Sequence, residues 1–111
     1  MAVNLYDAAY ELEKAIRLSD EYKLLKQMYD DVNADDSART MFESFRDIQM
    51  KLQQKQMMGE DISPEEVEQA QKTVALVQQH DKISKLMQAE QRMGMIIGEI
   101  NQLIMKPLEE L

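Results

Sequence analysis

The sequence predicts an all-α protein: an antiparallel bundle of four to five helices, two of them long, that associates as a helical dimer. Glu, Gln, Lys, Leu, Met and Ala dominate the composition, and these residues enter helices at little cost. Aromatic residues are only 5% of the chain, too few for sheets built on aromatic and β-branched pairs. Apolar residues recur at three- and four-residue steps. The length predicts a single helical domain over residues 1–111.

Two helices are predicted at the front of the chain. The first covers about residues 4–17 and has Asn4 as its N-cap. Ser19 is the N-cap of the second, over about residues 20–32, whose acidic first turn complements the helix dipole. The apolar stripe of the first helix comprises Leu5, Ala8, Ala9, Leu12, Ala15 and Ile16. The stripe of the second comprises Tyr22, Leu25, Met28, Tyr29 and Val32.

The third helix follows the acidic turn "DDVNADDSAR" and covers about residues 37–58. Gly59 stands just past its end, where glycine commonly terminates a helix. The residues predicted to face the core are Met41, Phe42, Phe45, Ile48 and Leu52.

The stretch "GEDISPEEVEQ" carries the sharpest local signal. Ser63 and Glu66 have the spacing of a capping box, and Pro64 occupies the first helical position, where its missing N–H costs nothing. A fourth helix is therefore predicted over residues 64–79. Its predicted buried residues are Val67, Ala70, Val74 and Val77.

The last helix is predicted over residues 82–105, with Pro107 ending it. No Gly or Pro lies between Pro64 and Gly94, so one helix running from 64 to 105 is the alternative. The apolar stripe changes phase near residues 79–82, which favours a bend or short break there.

The charge excludes several classes of partner. The formal net charge is −8, so the chain lacks the basic footprint that a phosphate backbone needs. The same charge opposes adsorption to anionic lipid. There is no cysteine, no signal peptide pattern and no apolar run long enough to cross a bilayer. We therefore expect a cytoplasmic protein with no direct nucleic-acid contact and no membrane insertion.

No catalytic, cofactor or metal constellation emerges. Asp31, Asn33 and Asp35 have calcium-loop spacing, but Asp36 replaces the required glycine and Phe42 the final bidentate glutamate. His80, the single histidine, has no nucleophile at a recognisable spacing. We expect neither an enzyme nor a bound cofactor. The alternative is a small metal-dependent protein using acidic clusters, or a chaperone-like binder using exposed methionines.

The segment "QRMGMIIGEINQLIM" contains two glycines four residues apart inside a helical pattern. Such a pair lets another backbone approach closely, although close intrachain packing or a local bend are alternatives. Large apolar residues cover more than one face here, so the helix needs cover on more than one side. We predict a subunit interface, most simply in a symmetric dimer. Its predicted residues are Met93, Gly94, Ile97, Gly98, Ile100, Leu103 and Ile104.

The chain resembles the YlbF/YmcA/YheA family of small bacterial helical proteins, and most closely its YheA-like branch. The resemblance rests on "NLYDAAYELEKAIRLSDEYKLLK", "FRDIQMKLQQKQMMGEDISPEEVEQAQ" and "GEINQLI". It implies a cytoplasmic, oligomeric, non-enzymatic adaptor or regulator whose partner and process it does not identify. Better-known members join a multiprotein complex that affects competence, sporulation, biofilm formation and RNA turnover. Their iron–sulfur clusters are held by cysteines and do not carry over to this cysteine-free chain.

Overall fold

The computed structural model describes residues 2–111, and these residues form five α-helices and no strand. The all-α class is therefore confirmed. The helices are α1 (Leu5–Leu18), α2 (Asp20–Asn33), α3 (Asp36–Met58), α4 (Pro64–Gln79) and α5 (Asp81–Glu109).

Polar caps fix the first two helices. The Asn4 side chain accepts hydrogen bonds from the backbone N–H groups of Tyr6 at 3.0 Å and Asp7 at 3.2 Å. The Ser19 hydroxyl accepts from the Tyr22 N–H at 3.2 Å and donates to the Ile16 carbonyl at 2.6 Å. One side chain thus satisfies orphan backbone groups on both sides of the α1–α2 junction.

The ends of α3 and the start of α4 follow the sequence signals. The Asp35 side chain caps α3 by accepting from the Ala38 N–H at 3.1 Å. Gly59 ends α3 in the left-handed region, with φ +72°. Ser63 and Glu66 form the predicted capping box at the start of α4, with both reciprocal hydrogen bonds present.

Gly59 should tolerate alanine poorly. The left-handed conformation costs a residue with a Cβ about 1–2 kcal/mol. Apart from the adjacent residues, no atom of the part of the chain that the structure describes lies within 4 Å of an added Cβ, so backbone strain accounts for the effect. Gly59→Ala is therefore expected to lower the free energy of unfolding by that amount in urea titrations. Gly94→Ala is the matched control. Gly94 lies inside a helix with open space around it, so this change should raise the free energy of unfolding by about 0.5–1 kcal/mol. Equal effects of the two variants would contradict this account.

Residues 64–105 form two helices. His80 has extended backbone, with φ −84° and ψ 116°, and separates α4 from α5. The break lies where the stripe changes phase. Pro107, however, does not end the last helix, because α5 continues through it to Glu109. Proline removes its own N–H bond to the carbonyl four residues earlier, here that of Leu103, but the last residues of α5 stay helical despite that loss.

The chain divides into two compact units: unit 1 contains residues 2–27 and 88–111, and unit 2 contains residues 28–87. Unit 2 holds most of the buried side chains. In it, the Phe42 ring meets Tyr29 edge-on at 6.3 Å, and the Arg46 guanidinium lies 4.7 Å above Phe42. The buried residues of unit 2 are Val32, Ala38, Phe42, Phe45, Val77, Ile83 and Leu86. Val67, predicted to be buried, is 43% exposed because it lies in the first turn of α4, at the edge of the packing.

An ion pair holds the end of α3 to the start of α4. Lys55 Nζ donates to Glu66 Oε1 at 2.6 Å, and the same carboxylate accepts from the Ser63 N–H. The Lys55 ammonium first, and the Ser63 N–H second, hold the pKa of Glu66 below its ordinary value of 4.5. Glu66 is thus both a helix cap and a link between helices.

This lowered pKa predicts a pH dependence of stability. A carboxyl whose pKa is lower in the folded state stabilises the fold above its unfolded pKa. That contribution is lost as the pH falls from about 4.5 through the folded pKa. Glu66→Gln should therefore show a shallower fall in melting temperature between pH 5 and pH 3, a window of about two units around that value. Glu65→Gln, in the same helical turn, is the control and should keep the wild-type slope. Parallel curves for all three proteins would show that the pair contributes nothing.

Candidate protein-interaction surface

Unit 1 leaves its apolar side chains largely uncovered. Of its described residues, only Ala89 and Met93 are buried, and α1 contains no buried residue. Arg92 Nη2 of α5 lies 3.7 Å from Glu21 Oε1 of α2 in a partly exposed ion pair. Such a pair contributes little to the free energy of folding. An amphipathic helix needs a surface against which to bury its apolar stripe, and this unit supplies little.

The first part of this surface lies on α1 and is here called the α1 surface. Its members are large and exposed: Leu5, Tyr6, Tyr10 and Leu18. Leu5 is 75% exposed even though it begins the predicted core stripe. Beside it, a concavity of about 290 Å³ has an apolar floor and one charged edge. The concavity is lined by Ala9, Leu12, Glu13, Ile16, Arg17 and Tyr22.

The second part lies on the C-terminal half of α5 and is here called the tail seam. Its members share one side of the helix at 100° per residue: Ile100, Leu103, Ile104 and Leu108. Ile100 is half-buried, and the other three are exposed, Ile104 to 57%. All of residues 101–111 are exposed, so no side chain among residues 2–111 covers the end of α5.

The structure separates the seven residues predicted for the interface. Met93 is buried within the chain, and Ile97 is half-buried. Gly94 and Gly98 are exposed and lie roughly 100° around the helix from the isoleucine stripe. Apart from the adjacent residues and the backbone of α5 itself, no atom of the described residues lies within 4 Å of a Cβ built at either glycine. Close packing within residues 2–111 therefore does not account for them, and their contact with a partner stays a prediction.

Two charged side chains flank the tail seam. Glu99 and Lys106 are seven residues apart, so they lie on the same side of α5. Neither has an ion-pair partner within 4 Å in the described part of the chain. Both line a concavity of about 540 Å³ that also includes Leu103.

The α1 surface was not anticipated from the sequence. A stripe with helical spacing shows that one face is apolar, but it does not show which chain covers that face. The available signal was the pair Tyr6 and Tyr10, which are four residues apart and lie off the Leu5–Leu12–Ile16 stripe. Tyrosine is enriched among the residues that dominate binding energy at interfaces.

The residues considered above as possible metal ligands or catalytic groups lie at helix ends. Asp35, one of three residues with calcium-loop spacing, caps α3 and pairs with Lys82 Nζ at 3.2 Å. The Ala38 N–H first, and Lys82 second, lower the pKa of Asp35. His80 lies at the α4–α5 break with its Nδ1 buried and unpartnered. Residues 2–111 contain no group of three His, Cys, Asp or Glu side chains arranged to hold a metal ion.

None of the five helices has a stretch apolar enough, over a sufficient length, for a bilayer crossing within residues 2–111.

Comparison with known proteins places the chain among small bacterial helical proteins. The family model described as "Control of competence regulator ComK, YlbF/YmcA" matches residues 5–109. The UPF0342 protein YheA of Bacillus subtilis (strain 168) is 70% identical over 111 residues, which are 100% of this chain and 95% of the relative.

Solved structures share the fold. A protein of unknown function (DUF964) from Bacillus stearothermophilus superposes with a TM-score of 0.90 at 50% identity, over 96% of this chain and 94% of the other. Bacillus subtilis RicA, solved in complex with RicF, superposes with a TM-score of 0.70 at 21% identity, over 99% and 97%. At that identity the second likeness shows the fold alone.

Proposed function

Because the chain belongs to the family described as control of competence regulator ComK, YlbF/YmcA, we propose that it is a non-enzymatic adaptor or regulatory subunit acting through protein–protein contacts. In this proposal it is a homo-oligomer, most simply a dimer, and it also binds another protein. It works in the cytoplasm, and its net charge of −8 keeps it from direct contact with nucleic acid or anionic lipid.

One observation carries the proposal: α1, a helix of 14 residues, buries none of them, and it belongs to the same unit as the uncovered end of α5. Single exposed apolar residues are ordinary on a protein surface, but a contiguous group of large ones marks an interaction site. A fully buried leucine or isoleucine gains about 1.5–3 kcal/mol, so the α1 surface and the tail seam leave substantial energy available to a partner.

The structural relatives give this proposal one further support. RicA, which has the same fold, was solved in complex with RicF. We carry over from it only that a chain with this fold can bind a protein partner.

Sedimentation equilibrium over a range of concentrations tests the proposal directly. The expected result is a mass above the 12.9 kDa of one chain at micromolar concentration, since an interface of standard size supports association in that range. Capture from the native cell with wild-type bait should yield a protein that a bait carrying Tyr6→Glu and Tyr10→Glu does not retain. Bait carrying Met50→Glu, an exposed position in unit 2, is the matched control. A monomer that retains no partner in any form would overturn the proposal.

A further inference from the structure

We infer that the C-terminal half of α5 pairs with the same segment of a second copy of this chain, antiparallel and about a two-fold axis. The inference rests on the proposed function and specifies which part of unit 1 forms the contact between copies. It commits the tail seam to one occupant, while the α1 surface stays available to other proteins.

The apolar residues in the C-terminal half of α5 have the spacing of a helix that pairs with another helix. Ile100 and Leu103 are three residues apart, and Ile96 precedes Ile100 by four, which is the alternation of a helix-pairing seam. Leu103 and Ile104 are exposed on or beside this seam. A second helix with the same spacing covers them by packing side chains into the gaps between them.

The two charges beside the seam favour an antiparallel pair. In the seam that contains Ile100 and Leu103, Glu99 and Lys106 occupy equivalent flanking positions in successive heptads. Along the chain the acid comes first and the base second. An antiparallel copy therefore brings Glu99 of each chain beside Lys106 of the other, and one contact forms two opposite-charge pairs. A parallel copy in register places this flank of each helix against the opposite flank of its partner, so Glu99 and Lys106 of the two copies do not meet and neither pair forms.

The segment from 99 to 106 is also compatible with a two-fold axis. Closed dimers are isologous, so the same surface must be complementary to itself. The segment from 99 to 106 meets that condition in the antiparallel orientation, with the axis halfway between the two charges, next to Gln102 and Leu103. Neither Glu99 nor Lys106 has an ion-pair partner within the described chain, so pairing them across the axis breaks no ion pair that the single chain already has.

Charge reversal tests the pairing. Lys106→Glu alone, or Glu99→Lys alone, replaces two attractive contacts with two repulsive ones and should weaken self-association about tenfold in sedimentation at low salt. The double variant with both changes restores opposite charges across the axis and should return to within twofold of wild type. If the seam instead receives α1 of another copy or a different protein, the double variant associates no better than the single ones, and the inference is overturned.

Cross-linking provides a second, independent measurement, because the chain has no native cysteine. Leu103→Cys lies next to the axis and should form a disulfide-linked dimer on oxidation. Leu108→Cys is the matched control: the two copies are 11 residues apart along the helices, about 16 Å, and cannot bridge. Equal cross-linking at both positions would indicate a parallel pair and overturn the inference. A wild-type chain that never associates with itself defeats the homo-oligomer in the proposed function as well, whereas an oligomer indifferent to all these changes defeats only the pairing.

Discussion

Leu86→Ala is expected to lower the free energy of unfolding by about 2–5 kcal/mol. Leu86 has no exposed surface and is one of the largest fully buried side chains of unit 2. Truncating it removes the transfer energy of the lost atoms and leaves a cavity that the surrounding helices fill only in part. A domain of this size is stable by about 5–15 kcal/mol, so the loss is a large share of the total.

Thermal unfolding measured by circular dichroism provides the test. A change of this size should lower the melting temperature by roughly 10–20 °C in a chain of about a hundred residues. Leu76→Ala makes the same chemical change at a residue that is 54% exposed, and it should move the midpoint far less. If the two variants melt together, the assignment of the core around Leu86 is wrong.

Ile104→Glu is expected to weaken self-association by about 30-fold or more while leaving the single chain folded. Ile104 is exposed, so the isolated chain has no packing to lose there. In the proposed dimer it lies close to the two-fold axis, and each copy would bury a carboxylate against apolar side chains. Truncating or charging a central interface residue commonly costs 2 kcal/mol or more, which corresponds to that change in dissociation constant.

Met57→Glu is the matched control for this substitution. Met57 is 82% exposed, lies in unit 2 and takes no part in the proposed contact. Light scattering coupled to size-exclusion chromatography should therefore show the wild-type mass for Met57→Glu and a smaller mass for Ile104→Glu at the same concentration. An unchanged mass for Ile104→Glu would remove α5 from the contact between copies.

Local signals in the sequence predicted much of the fold because they depend on neighbours along the chain. A capping box needs only Ser63 and Glu66 in the right places, and a left-handed helix end needs only a residue such as Gly59. The break at His80 was predicted from the change of phase between two stripes. Pro107 was misread because proline removes one hydrogen bond to the carbonyl four residues earlier but can leave the backbone helical beyond it, as it does here.

The interaction surface was only partly predictable, for a physical reason. Periodicity shows that a helix has an apolar face, but exposure depends on which other helices reach it. Met93 and Ile104 belong to the same stripe of α5, yet one is buried and the other exposed, because the chain's own packing ends between them. The spacing of Leu5 and Leu12 likewise gave no indication that α1 would bury nothing.

The two hydrogen bonds of the Ser19 hydroxyl affect the direction in which α1 leaves α2. Because α1 buries no side chain, packing does little to fix its direction, and the joint between α1 and α2 must do so instead. Without that hydroxyl, the joint would lose two hydrogen bonds, the one donated to the Ile16 carbonyl and the one accepted from the Tyr22 N–H. The direction of α1, and with it the placement of Tyr6 and Tyr10, therefore depends on the two hydrogen bonds of a single hydroxyl oxygen.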